Sequence, residues 1–166
     1  MGQTVKRTKS PEQALRTLMS LCARSERASG DALRLMRGWG VEDDEARKIL
    51  EQLVRERFID DGRYAAAFVR DKLNLSGWGA GKIRIALRQK GVSSQHIEAA
   101  MGQLAESDMA SRLKTVLLRK LRSVRGNTPY EVRAKLIRHA LMQGYDIESA
   151  RECARQLVGE EDVWDV

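Results

Sequence analysis

The sequence predicts an all-α protein: three tandem three-helix units stacked into an elongated, curved array. Composition is the first reason. Two prolines, 5% aromatic residues and an abundance of Ala, Leu, Arg and Glu favour helices. No stretch alternates polar and apolar residues with period two for long enough to make a strand. The second reason is an internal repeat. Gly40, Gly91 and Gly144 each close a helical pattern and precede Val41, Val92 and Tyr145. Four places before these glycines stand Met36, Leu87 and Ala140, and eight places before stand Ala32, Ile83 and Leu136. Nine places after stand Ile49, Ala100 and Cys153, and thirteen after stand Leu53, Leu104 and Leu157. Matching apolar positions on both sides of a glycine helix stop define the unit. Each unit is small, about fifty residues, and buries little apolar surface alone, so it must lean on its neighbours.

A flexible basic tail is expected over 1–10, and unit 1 over 11–58. Its first helix opens at Ser10-Pro11 with Gln13 three places on, which is a capping box with proline at the first helical position. Leu15, Leu18, Met19 and Cys22 form the inner face. A break from Ser25 to Gly30 leads to a short helix ending at Gly40, and a third helix spans about 42–57. Unit 2 is expected over 59–107. Asp60 and Asp61 stand where a helix start needs acceptors for its free N–H groups. Ala65, Val69 and Leu73 give that helix an apolar side, with Tyr64 and Phe68 beside them. Gly77, Gly79 and Gly81 then make a flexible joint. A basic helix follows from Lys82 to Lys90, stopped by Gly91, and the unit's last helix runs from about Ser94 to Glu106. Unit 3 is expected over 108–158. Met109, Leu113, Val116, Leu117 and Leu121 mark its first buried face, and Thr128-Pro129-Tyr130-Glu131 is a second capping box. A last helix spans about 146–158, and an acidic tail follows over 159–166, with Trp164 as its one candidate for docking.

Charge is segregated. The chain has 30 basic and 23 acidic residues among 166, a net charge of +7. From Gly62 to Lys90 there are seven bases and one acid, and from Met109 to Tyr145 nine bases and one acid. Glu42 to Asp61 instead holds eight acids and four bases, and Asp146 to Val166 seven acids and two bases. In a stack of like units, equivalent helices fall on one side, so a basic strip suited to phosphates or to an acidic protein surface is expected.

Catalytic chemistry is missing from the pattern. Ser76 to Ile83 imitates a phosphate loop, but Ser76 replaces its first glycine, Ile83 its Ser or Thr, and no strand precedes it. His96 and His139 stand alone, without Cys or His at metal-ligand spacing. Cys22 and Cys153 sit in apolar helical stripes and read as buried free thiols. Trp39 and Trp78 flank glycines in inter-helix joints, where they fill gaps between helices. Neither catalytic nor cofactor or metal sites are expected. The polar N-terminus lacks the apolar core of a signal peptide, and no run is long enough for a membrane span; a cytoplasmic monomer is expected.

The run Ile59-Asp60-Asp61, Arg63-Tyr64-Ala65, Phe68-Val69, followed by Ile83, Leu87 and Lys90-Gly91-Val92, resembles the RecX regulatory proteins of bacteria. Arg24-Ser25 with Leu33 is similar to the start of the family pattern, and the resemblance covers about residues 14–105. Two departures stand out: Ala32 replaces a usual glutamate, and Trp78 with Gly81 makes the joint looser than usual. The resemblance implies a non-enzymatic regulator, mainly an inhibitor, of the RecA recombinase. It would bind the groove of the RecA–DNA filament and limit ATPase, strand exchange and filament growth in repair, recombination and the SOS response. Weak, non-specific binding of single- or double-stranded DNA would accompany this. Arg63, Arg70, Lys82, Arg84, Arg88, Lys90, Arg112, Arg119 and Arg122 are the candidate contacts to RecA or DNA. The alternative is a free-standing DNA-binding or transcription-related protein, since three-helix units with basic second helices resemble helix-turn-helix modules.

Overall fold

The structure, a computed structural model, describes residues 8–159. Among these residues there are nine α-helices and no strand. In order they are α1 (Pro11–Arg24), α2 (Ser29–Gly38), α3 (Asp43–Arg55), α4 (Asp61–Asp71), α5 (Ala80–Gln89), α6 (Ser94–Met101), α7 (Glu106–Leu121), α8 (Pro129–Met142) and α9 (Ile147–Val158). No helix among the described residues is long and apolar enough to cross a membrane.

The repeated glycines do the same work three times. Gly40, Gly91 and Gly144 have φ of 78°, 79° and 94°, the left-handed backbone that a helix stop requires. After each one, the N–H of Val41, Val92 or Tyr145 returns to the carbonyl of Met36, Leu87 or Ala140, at 3.0, 3.1 and 3.1 Å. Each glycine N–H reaches the carbonyl three places earlier, that of Arg37, Arg88 or Leu141. This paired bonding satisfies helix-end carbonyls that otherwise lack partners. It also brings the residue after the glycine back onto the helix, and all six apolar residues of these corners are buried.

The chain divides into two compact units: residues up to Phe68 together with Ala86–Ala100, and Val69–Ile85 together with the residues from Met101 on. Three triplets of helices are present, but the middle triplet is not a separate body. Its α4 and α5 pass from one compact unit into the other. In the first unit α3 packs on α1 and α2 around Ala14, Leu18, Ala32, Met36, Ile49 and Leu53. Ser10 caps α1 through the expected box, its Oγ accepting from Gln13 N–H and the Gln13 side chain accepting from Ser10 N–H. The N-terminus of α2 has no cap of its own; Asp61, on α4, accepts its Ser29 N–H at 2.8 Å. In the second unit α7, α8 and α9 pack mutually around Leu113, Leu117, Leu136, Ala140, Cys153 and Ala154.

Four expectations change. The basic tail expected over 1–10 gives way by Lys9, whose N–H donates to Trp39 carbonyl at 3.1 Å and whose ammonium lies 5.2 Å from the Trp39 ring centre. The structure of residues 1–7, and of the acidic tail with Trp164 beyond Gly159, lies outside the described residues. The helix expected from Ser94 to Glu106 stops at Met101, because Gly102 follows; Leu104 lies between helices, and Met101 takes the buried position instead of Ala100. Glu106 opens α7.

The fourth change is the joint after α4, which is neither loose nor wholly non-helical. One π-helical turn, Lys72–Ser76, continues α4 and ends at Gly77 with φ of 67°. Gly79 N–H then donates to Gln143 carbonyl at 2.6 Å, and Gly81 N–H to Gly144 carbonyl at 2.9 Å. A β-carbon at Gly79 would stand 2.6 Å from the Gly144 carbonyl carbon. The glycines therefore serve close backbone packing, not mobility. The first unit repeats the device: a β-carbon on Gly30 would stand 2.8 Å from Gly91 Cα.

Candidate nucleic-acid interface

The basic run from Met109 to Tyr145 falls on α7, α8 and their connection. In α7, Leu113 and Leu117 face the core, which leaves Lys114 and Arg119 exposed. The start of α8 is fixed by Thr128, whose Oγ1 accepts from Glu131 N–H at 3.2 Å, and by Pro129 in the first turn. The capping box expected here is only half formed: Glu131, the run's one acid, turns back to accept from Asn127 N–H at 2.8 Å rather than from the cap residue's own N–H. With Leu136 and Ala140 buried, Lys135 and Arg138 lie on the outside.

Two hollows result. Arg112 and Arg119 line a cleft between the π-helical turn and α7, with Asn74, Asp108 and Ser111; Arg112 Nη1 donates to Asn74 Oδ1 at 2.8 Å. Lys120, Arg125, Lys135, Arg138 and His139 line the second, where the Lys135 ammonium donates to Arg125 carbonyl. Among the described residues, none of the nine bases in this run forms an ion pair. The local field is positive enough to be felt by a neighbour. Burial holds the His139 pKa below its ordinary value, and Lys120 and Lys82 lower it further.

The other expected contacts are less available. Arg63 is pinned by Glu26 at 2.6 Å and also donates to Arg57 carbonyl. Lys90 is 3.5 Å from Asp31, and Arg70 is 3.9 Å from Asp71. Lys82 and Lys72 lie 4.5 and 4.6 Å from the centre of the Trp78 ring, a cation–π arrangement. Arg84 is half-buried in the wall of a cavity with Met101, Met109 and Tyr145. Arg88 and Arg122 are exposed. The structure thus brings Arg112 and Arg119 together but uses Arg63 and Lys90 as struts inside the first unit. It adds Lys120, Arg125, Lys135 and Arg138, which the charge run contained but which no periodicity singled out.

The remaining polar groups have structural duties. Asp60 accepts from Arg63 N–H at 2.9 Å, and that bond is the main reason its carboxyl titrates below the usual range. Burial pushes the Cys22 and Cys153 thiols up, which keeps them protonated and poorly nucleophilic at neutral pH. Among the described residues, no three His, Cys, Asp or Glu side chains gather as metal ligands. Trp39 packs against the first core, as expected of a gap filler.

The family model described as RecX, second three-helix domain, matches residues 60–101. The regulatory protein RecX of Pseudomonas entomophila (strain L48) is 31% identical over 138 residues, covering 83% of this chain and 87% of that protein. The chain belongs to the RecX family. The RecX of Clostridium botulinum (strain Eklund 17B / Type B) is 30% identical over 137 residues, and the match spans only 62% of that longer protein. Two RecX crystal structures share the fold. One, of a regulatory protein RecX, has a TM-score of 0.79 at 23% identity, covering 89% of this chain and 72% of that one. The other, from Lactobacillus salivarius, has a TM-score of 0.77 at 17% identity, covering 89% and 96%. The matched segment 60–101 contains the double aspartate, the Tyr64-Ala65 and Phe68-Val69 pattern and the Lys90-Gly91-Val92 corner on which the family resemblance rested.

Proposed function

We infer that this RecX-family chain regulates, mainly by inhibition, the RecA recombinase, and that it does so bound in the groove of the RecA–DNA filament. The observation that carries this reading is the set of nine bases on α7, α8 and their connection, none of which forms an ion pair among the described residues. Bases without acidic partners are costly to hold together, and they are suited to neutralising phosphates or the acidic surface of a protein. A nucleoprotein filament offers both. A ligand that touches protein and DNA together meets its full site only on the assembled filament, so filament should bind more tightly than either component alone. Bound there, the chain would hinder ATP turnover, strand exchange and filament growth by occupying the groove, with no chemistry of its own.

Fluorescence anisotropy tests this. Labelled protein is titrated with a single-stranded oligonucleotide alone, with a cognate RecA alone, and with the two assembled on a non-hydrolysable ATP analogue. The expected order is tightest on the filament, with weak, sequence-independent binding to DNA alone. A preference for one duplex sequence, undiminished without RecA, would favour the transcription-related alternative instead.

A further inference from the structure

The third triplet carries a surface that is filled in the other two. Gly30 and Gly81 stand ten places before Gly40 and Gly91. Each receives the backbone of a following helix-end corner: Gly30 faces Lys90 and Gly91, and Gly81 faces Gly144. Arg34, six places before Gly40, secures its corner by donating from Nη1 to Gln89 carbonyl at 2.7 Å. In the third triplet the corresponding residues are Ala134 and Arg138. The alanine β-carbon stands where the glycines admit backbone, so a corner of the same kind is kept out. What remains on α8 and the start of α9 is an open groove floored by Ala134, Ile137, Leu141 and Ile147, with Tyr130 at one end and Arg133, Arg138 and Arg151 along it. Its large apolar residues are unusually exposed: Tyr130 68%, Leu141 44% and Ile147 39%. Arg138 and Arg151 have no acidic partner among the described residues.

The chain reaches this groove of its own accord. At the end of α9, the Arg133 guanidinium donates to the carbonyl of Gly159, so the segment after Gly159 starts at the groove wall. That segment reads Glu160-Glu161-Asp162-Val163-Trp164-Asp165-Val166: four acids for the arginines, and an indole and two valines for the apolar floor. Its length is sufficient. Seven extended residues reach about 23 Å, against about 16 Å of α8 between Tyr130 and Leu141. We propose that the acidic, tryptophan-bearing segment 160–166 is the ligand of the α8–α9 groove. Docked there, it neutralises arginines that adjoin the basic hollow lined by Lys135 and Arg138, and so acts as an internal competitor for polyanions.

The experiment is fluorine NMR on the full chain labelled with 5-fluorotryptophan, with the Trp164 resonance assigned by its loss in Trp164→Phe. The reference is a synthetic peptide of residues 160–166 carrying the same label. The Trp164 resonance of the wild-type chain is expected away from the peptide position, and Arg138→Glu/Arg151→Glu is expected to return it there without moving the Trp39 and Trp78 resonances. Should that variant disturb Trp39 and Trp78 as well, sodium chloride added to the wild-type chain supplies the same comparison, moving Trp164 towards the peptide position. A wild-type Trp164 resonance coincident with the peptide's would overturn the proposal. So would a displaced one that neither salt nor the arginine variant moves.

Discussion

A β-carbon at Gly91 would stand 2.7 Å from Gly30 Cα, whereas one at Gly38 would meet nothing within 4 Å. Gly38 is the last residue of α2, whereas Gly91 lies in the left-handed corner after α5, so the two make an informative contrast. Gly91→Ala is expected to cost about 1–2 kcal/mol from the left-handed backbone alone, with the clash against Gly30 adding to it. Gly38→Ala is expected to be neutral or to gain up to about 1 kcal/mol, the helix preference of alanine over glycine. Urea melts of both variants test this; equal midpoints would mean that the corner is not the close-packed element described. At the same scale, His139 sets a pH dependence. Its folded pKa lies below the ordinary 6.5, so the unfolded chain takes up the proton first as pH falls. Its contribution to stability is therefore complete above about pH 6.5 and declines below that value until the folded form also protonates. Asp60 and Asp146, both lowered from 3.8, act in a separate and more acidic window. Urea midpoints should fall between pH 7.5 and 5.5 in the wild type, and fall less in His139→Gln.

Helix by helix, much was legible in the sequence. Glycine stops, capping boxes and apolar spacing are local signals, and α1, α8 and the three helix-end corners follow from them. What could not be read depends on partners distant along the chain. Asp61 looks like a cap for its own helix, yet it caps α2 instead. Gly79 and Gly81 look like a hinge because composition cannot reveal the Gly144 corner that presses against them. The same limit governs the basic residues. Arg63 and Arg119 are equivalent as letters, but one is bound to Glu26 and the other is not. Arg119→Glu/Arg122→Glu is thus expected to weaken oligonucleotide binding and flatten its dependence on salt, since fewer counterions are released, with an unchanged urea midpoint. Arg63→Glu is expected to lower the midpoint instead, because it sets like charges together beside Glu26. Anisotropy titrations at two salt concentrations, beside melts of each variant, separate the outcomes. A lowered midpoint in the first variant with unchanged binding would remove α7 from the interface.

For the whole molecule, the repeat was visible in the chain, but the division of the middle triplet between two compact units was not. That division follows from glycine contacts at both ends of α5, one set toward Gly30 and one toward Gly144. Membership of the RecX family rests on similarity across most of the chain, while the proposal that it acts on a RecA–DNA filament is supported by the bases of α7, α8 and their connection, none of which forms an ion pair among the described residues. The most direct measurement is the ATPase of a cognate RecA on single-stranded DNA, titrated with wild-type protein and with Arg119→Glu/Arg122→Glu. The expectation is that wild type suppresses turnover at less than one copy per RecA, less effectively as salt is raised, and that the variant suppresses it weakly although it folds normally. Unchanged turnover at saturating wild-type protein, or equal suppression by the variant, would contradict it.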